Sequence, residues 1–462
     1  GMWHAYVLYC IKERACDLDR INAFLNRFLS HERKLRWMRL DNAAKIYPAA
    51  KRRKWNNFFR LSATLCDEVD KTVLRNAMDV TMRRFPSIAV RLCRGAFWYY
   101  LEELSSAPEI TDEKSWPLAH TPFESINECA LRVIVYKNRI AVEFYHALTD
   151  GTGGMVFLKS LLAEYIEQKY GVEIPNECGV LDRLTQPQEE ELEDSFSKNA
   201  GSVSVSRNAS TAFKIHYTPE RDDFRHLTTF ILDSTAALAA AKSCGVSLTV
   251  YLTSAMLLAL QRIQDEQTPD KRRQKPIRVV VPVNLRRLFP SRTLRNFVHV
   301  IMPEIDPRMG DYEFSEILTS VKHQLGLLVT KKNLCAMFTP NVNAERSPLL
   351  RVMPLFLKNI AMKLVYDTVG ERTNCLNLSN LGDIKVPDAM RRYVTRFDFI
   401  LGVQATKPNN CGVLSYNGKL YMNFIRNTVE PVLEFQFYQV LRELGLHVKV
   451  ESNGAGNISD SN

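Results

Sequence analysis

The sequence has no Cys-x-x-Cys pair, and its ten cysteines stand singly from Cys10 to Cys411. Neither a zinc knuckle nor a disulfide framework is indicated, and the thiols read as reduced and mostly buried. The nine histidines include no pair at i, i+4 with a helix glutamate, so no metal site is expected. The longest apolar stretch, around residues 250–260, falls short of the ~18 residues of a membrane span and is broken by Thr253 and Ser254. The first residues lack a basic segment followed by an apolar one; nothing directs secretion, and a cytoplasmic location is the expectation. No short-period repeat is present.

What is there is an ordinary globular composition. The chain has 462 residues, 46% of them apolar and 24% charged, enough for two large domains or about three of ~150 residues. Lys and Arg number 61 against 51 acidic residues, and the net charge of +10 favours anionic partners. The basic clusters at 51–54 and 271–273 are short and come without a nucleic-acid-reading motif, so nucleic acid is not expected.

Helical spacing of Ile21, Phe24, Leu25, Phe28 and Leu29 predicts a helix within 17–40, and a second follows over 66–84, stopping at Phe85-Pro86. Strands are predicted at 57–65 and 88–100, a hairpin at 131–146 and a helix at 155–170. Between 181 and 210 a Gln/Pro-rich, then acidic, then Ser/Asn/Gly-rich stretch lacks periodicity. The chain is therefore divided into residues 1–185, a linker 186–210 and residues 211–462. The second part restarts with strand 227–232, helices 234–243 and 248–264, strand 277–285 and helix 312–329. A helix at 355–366 precedes strand 374–381, a hairpin closing on Asn417-Gly418 and a last helix at 430–444. Strands and helices mix without regular alternation, which predicts two α/β or α+β halves.

The most informative segment runs from Glu143 through His146-Ala147-Leu148-Thr149-Asp150-Gly151 to Gly154. Alternation puts Ile140, Val142, Phe144 and His146 on one strand face, so the histidine ends an apolar ladder, where desolvation favours the neutral imidazole. A neutral histidine before a loop suits general base chemistry. Gly151, Gly153 and Gly154 let the chain turn sharply into the next helix.

This segment resembles the His-x-x-x-Asp-Gly signature of the chloramphenicol acetyltransferase-like superfamily of CoA-dependent acyltransferases and condensation domains. Three further segments, in order, resemble its alcohol-acetyltransferase-like branch. They are Leu40-Asp41-Asn42-Ala43-Ala44-Lys45-Ile46-Tyr47-Pro48, the strand at 277–286 ending in Arg286 and followed by Thr293-Leu294-Arg295-Asn296-Phe297, and Asn377-Leu378-Ser379-Asn380-Leu381-Gly382. Tyr145 stands where condensation domains usually carry a second histidine, and 397–402 is only a loose echo of the plant-type Asp-Phe-Gly-Trp-Gly motif.

The resemblance implies an α/β (α+β) fold of two chloramphenicol-acetyltransferase-like subdomains with the active-site tunnel between them. It implies an acyltransferase with acyl-CoA as co-substrate, no bound cofactor and an alcohol or amine acceptor. His146 is the implied general base. Asp150 belongs to the same catalytic motif, mainly as a structural partner of Arg286, and Gly151 shapes the loop. Ser379 and Asn380, with the Gly151 N–H, are candidates for the oxyanion site. Asn296 and His299, close after the arginine strand, read as packing residues ahead of the alternative that they line the tunnel. The alternatives are an acyl carrier protein as donor and a non-catalytic member of the fold; a monomer is expected.

Overall fold

Period-two apolar alternation in 58–65 and 139–145 yields two central strands of a sheet buried on both faces. In a computed structural model that describes residues 35–49, 57–113, 116–120, 122–205, 209–404 and 407–453, β2 (Phe58–Leu65) and β7 (Arg139–Tyr145) pair antiparallel from Phe58↔Tyr145 to Thr64↔Arg139. β6 (Leu131–Tyr136) joins β7 across the expected hairpin, and β5 (Ile110–Asp112) lies parallel to β6 at the edge. The other edge is β13 (Val394–Ile400), antiparallel to β2, so a strand from late in the chain completes the first sheet in the order β13-β2-β7-β6-β5. The helices Lys71–Arg84 and Gly151–Tyr170 pack together beside this sheet. Phe144 and Phe157, both fully buried, meet edge to face at 5.8 Å, and each such ring stabilises the fold by roughly 2–3 kcal/mol.

The second sheet has its own core. Its eight strands are β8 (His226–Asp233), β9 (Ile277–Asn284), β10 (Val298–Ile301), β11 (Glu304–Ile305), β12 (Leu376–Asp383), β14 (Asn409–Tyr416), β15 (Lys419–Arg426) and β16 (Lys449–Ser452). Their order is β10-β9-β12-β14-β15-β8-β16, with β11 also on β9; β12 runs parallel to both β9 and β14, the other pairs antiparallel. The β14–β15 turn has Asn417 and Gly418 at φ 48° and 77°, both in the left-handed region that a type I′ turn requires. Helices Leu248–Gln267 and Val432–Glu443 pack on one another over this sheet.

Several expectations are corrected. The helix expected within 17–40 lies largely outside the described residues, as does the basic cluster at 51–54; its described end is a strand, β1 (Trp37–Arg39). The single strand expected at 88–100 is a hairpin of β3 (Val90–Arg94) and β4 (Tyr99–Glu103), completed by β1 as a three-stranded sheet. The chain turns at Gly95, whose N–H donates to the Trp98 carbonyl at 2.9 Å, and a Cβ there would meet that oxygen at 2.7 Å. Within 186–210 are the short helices Glu189–Leu192 and Ser195–Asn199. Glu191 is buried there in a bidentate pair with Arg84, at 2.5 and 2.7 Å. Of the described cysteines only Cys375 and Cys411 are buried, while Cys66, Cys178 and Cys244 are exposed. Among the described residues no single helix is long and apolar enough to cross a membrane.

Candidate active site

β7 delivers its chain to the junction between the two sheets. Beyond Tyr145 the His146 N–H donates to the Asn57 carbonyl at 2.7 Å, and Leu148 N–H turns back to the Tyr145 carbonyl at 2.9 Å. Asp150 then caps the helix Gly151–Tyr170, accepting at Oδ1 from the N–H groups of Thr152 (3.1 Å) and Gly153 (3.0 Å). The helix therefore starts at Gly151, four residues before the apolar pattern predicts. Gly153 is needed for close approach, because a Cβ would collide with the Leu294 carbonyl oxygen and Thr149 Oγ1. Thr149 Oγ1 itself donates to the Leu294 carbonyl at 2.6 Å, so the segment after β9 is docked on the motif turn.

The second oxygen of Asp150 faces that segment. Oδ2 accepts from Arg286 Nη1 at 2.8 Å and from the Phe297 N–H at 2.9 Å. Arg286 also donates through Nε to the Thr293 carbonyl (2.9 Å) and through Nη2 to the Arg295 carbonyl (2.6 Å). Each carboxylate oxygen thus has two donors, and Asp150, 2% exposed, makes no bond to the imidazole. Its place is that of a positioning residue which ties motif turn, helix and second sheet together.

The imidazole is held by a residue read from sequence as packing. Asn296 Nδ2 donates to the His146 carbonyl at 3.0 Å and to Asp41 Oδ2 at 3.3 Å, while Asn296 Oδ1 lies 3.2 Å from His146 Nδ1. Turning the amide over would set its oxygen against a carbonyl and a carboxylate, so the oxygen belongs on Nδ1 and the Nδ1 position carries the proton. Nε2 is left as the acceptor. Tyr47, from the short helix Ile46–Ala49, stacks on the ring at 4.7 Å and 18°, and Phe59 meets it edge-on at 5.2 Å. Burial in this apolar cage holds the imidazole pKa below its ordinary value, against weaker support from Asp150 and Asn296.

Behind Asn296 sits Asp41, fully buried. Oδ1 accepts from the Ala44 N–H at 2.7 Å, and Oδ2 from the Asn296 N–H at 3.3 Å, with Arg295 Nε 3.8 Å away. Burial pushes its pKa up to about 6, with Arg295 opposing. Asp41 and Tyr47 were missed as site residues and Asn296 was read as packing ahead of tunnel lining, although the sequence segments around 40–48 and 293–297 that carry them were visible.

The candidates on β12 divide. Asn380 is occupied, its Nδ2 donating to Thr249 Oγ1 at 3.2 Å and its Oδ1 accepting from the Gly382 N–H at 2.8 Å. Ser379 is buried on the strand two residues before Leu381, whose side chain abuts Gly151 at the start of the motif helix. The Gly151 N–H, in the first helical turn, has no intrahelical acceptor to meet. His299 is buried, its ring 6.4 Å from that of Phe338. Among the described residues no group of three or more His, Cys, Asp or Glu side chains could hold a metal ion.

No family model matches the sequence, and no curated protein matches it. Solved structures do. Polyketide synthase associated protein 5 from Mycobacterium tuberculosis is similar over 88% of this chain and 98% of its own, with TM-score 0.53 and 13% identity. The TRI3 trichothecene 15-O-acetyltransferase from Fusarium sporotrichioides covers 89% and 94%, with TM-score 0.52 and 12% identity. The starter condensation domain of rhizomide synthetase, a mutant in complex with C8-CoA, covers 88% and 94%, with TM-score 0.53 and 13% identity.

Proposed function

From the chloramphenicol acetyltransferase-like, two-subdomain fold that this chain shares with acyltransferases and condensation domains, we propose that it transfers an acyl group from coenzyme A to an alcohol, with an amine as the variant acceptor. The observation that carries the reading is the His146–Asn296 geometry: Nδ1 is committed to Asn296 Oδ1, and Nε2 is presented as a base whose pKa is held down by burial. In the proposed reaction the thioester and the acceptor meet at this atom. Nε2 takes the acceptor proton as its oxygen bonds to the thioester carbonyl carbon. The tetrahedral intermediate collapses with cleavage of the C–S bond, and the imidazolium returns its proton to the departing thiolate. No acyl-enzyme forms. General base work of this kind supplies roughly 10²–10⁴-fold.

The oxyanion requires a preorganised donor, worth about 3 kcal/mol. Asn380 has one Nδ2 proton on Thr249 and its oxygen on Gly382, which leaves one N–H, so the candidates are that N–H, the Ser379 hydroxyl and the Gly151 N–H. A neighbour solved with C8-CoA supports coenzyme A as the donor carrier. The test is acceptor-dependent release of free thiol from acetyl-CoA and longer acyl-CoAs across a panel of alcohols and amines. Release is expected with wild type and is expected to fall by about 10²-fold or more in His146→Ala. Undiminished release in the variant would remove His146 from the reaction.

A further inference from the structure

We propose that the outward face of the helices Pro348–Val352 and Leu355–Val365 docks on an anionic membrane surface. The second helix packs with one side only, against the helix Ile46–Ala49 and the turn between β3 and β4. Leu355 and Lys358 are buried there; Leu355 N–H donates to the Ala96 carbonyl at 3.1 Å, and Lys358 Nζ donates to the Phe97 carbonyl at 2.8 Å and sits 3.5 Å over the Trp98 ring. Asn359 Nδ2 reaches Tyr99 Oη at 3.2 Å. The opposite side is apolar and in water: Phe356 is 57% exposed, Leu357 42% and Ile360 57%, continued on the preceding helix by Leu349 at 70% and Val352 at 68%. A helix that spends large apolar side chains on solvent marks an interaction surface.

Charge selects the occupant. Between Glu345 and Asp367 the sequence carries Arg346, Arg351, Lys358 and Lys363 and no carboxylate, and of these Lys358 is buried. Arg351 and Lys363 are exposed beside the apolar stripe. An apolar stripe edged by cations of one sign is the pattern of a helix that lies in the interface, its apolar face roughly 5–10 Å into the headgroup boundary. The net charge of +10 acts in the same direction. The face is also one layer from the candidate site: Leu40 and Lys45 line a small pocket together with Leu355, Lys358 and Asn359, and Tyr47, on the helix beside them, stacks on His146. A membrane-borne apolar acyl chain or acceptor would reach the imidazole from this side; that last step rests on the acyltransferase reading, whereas the docking does not.

The experiment is flotation of the full chain with phosphatidylcholine vesicles, with and without about 30% phosphatidylglycerol, at low and high salt. Wild type and His146→Ala are expected to float equally with anionic vesicles and about tenfold or more weakly with neutral ones, because each basic residue near the surface contributes about fivefold. Phe356→Glu/Ile360→Glu is expected to abolish flotation, and Arg351→Glu/Lys363→Glu to abolish the preference for anionic lipid, both with unchanged thermal melts since these positions face solvent. Failure of wild type to float, or undiminished flotation of Phe356→Glu/Ile360→Glu, overturns the proposal. A dimer by light scattering that this variant dissolves, without vesicle binding, assigns the face to a second copy and overturns it too.

Discussion

Asp150 and Asp41 are both buried, both face an arginine and both bond the 295–297 segment, yet they are built to different tolerances. Asp150 has short donors on every side, with Arg286 at 2.8 Å and three backbone N–H groups between 2.9 and 3.1 Å. Asp41 has one short bond to Ala44, two at 3.3 Å from Asn296 and its arginine at 3.8 Å. The saturated carboxylate is the one inside the signature, and it does not touch the imidazole. The under-satisfied one lies outside the signature and reaches the imidazole through a single amide. The comparison teaches that the signature secures the loop's shape, while the tautomer of His146 is set by Asn296, a residue that the signature does not contain.

The largest effect that would break this distinction is on stability. Asp150→Ala removes the helix cap and strands the nearly buried Arg286 guanidinium, and a broken buried pair costs about 3–5 kcal/mol. Chemical denaturation should show that loss. Retention of the wild-type midpoint would mean that the four bonds to Asp150 are not what holds the motif turn.

Asp41 should instead reveal itself through pH. Its folded pKa of about 6 stands above the ordinary 3.8, so the folded state binds more protons between those values, and ionisation of Asp41 weakens the fold increasingly as pH rises through that window. With two pKa units at 1.36 kcal/mol each, the penalty approaches about 3 kcal/mol at neutral pH. Asp41→Asn abolishes this titration. Its stability relative to wild type is expected to improve steadily from pH 4 to 7 in parallel urea melts. A difference independent of pH would show that Asp41 is not held protonated by burial.

Third comes the amide itself. Asn296→Ala leaves the fold but frees the imidazole to take either tautomer, and loss of such a supporting partner typically costs about 10–100-fold. The fall is expected in kcat, with KM little changed, and it should persist well below a melting temperature that is itself lowered, because Asp41 and the His146 carbonyl lose a buried donor. Unchanged kcat would place tautomer control elsewhere.

These residues also mark how far the sequence could be read. Local periodicity located β2, β6, β7, β8 and β9 within a residue or two, because a strand's alternation is written in consecutive residues. The pairing of Asp150 with Arg286 follows from two segments whose order matches a known pattern. β13 was missed because its partner, β2, lies more than 300 residues earlier, and nothing in Val394–Ile400 itself says which sheet it joins. The split of 88–100 into a hairpin was legible in principle: Gly95 interrupts the apolar run, and its carbonyl contact leaves no room for a side chain. Asn296 is legible only as packing or tunnel lining, because its bond to His146 spans 150 residues and an asparagine in a loop has many commoner uses.

The smallest expected effect sharpens the comparison at the reacting atom. Burial holds the His146 pKa below its ordinary 6.5, and the Asn296 hydrogen bond partly offsets this by accepting from the protonated ring. A base acts when neutral, so kcat/KM should rise along an acid limb with its midpoint below 6.5 and stay level through neutrality. The same depression makes His146 stabilising above the limb and destabilising below it, because the unfolded chain binds the proton more readily; this is opposite in sign to Asp41 over the neighbouring range. In Asn296→Ala one of the groups that oppose burial is gone, with Asp150 remaining, so the limb should move to still lower pH even as kcat falls. A limb that moves upward would mean that Asn296 opposes the imidazolium instead of supporting it, and the orientation assigned to its amide would have to be reversed.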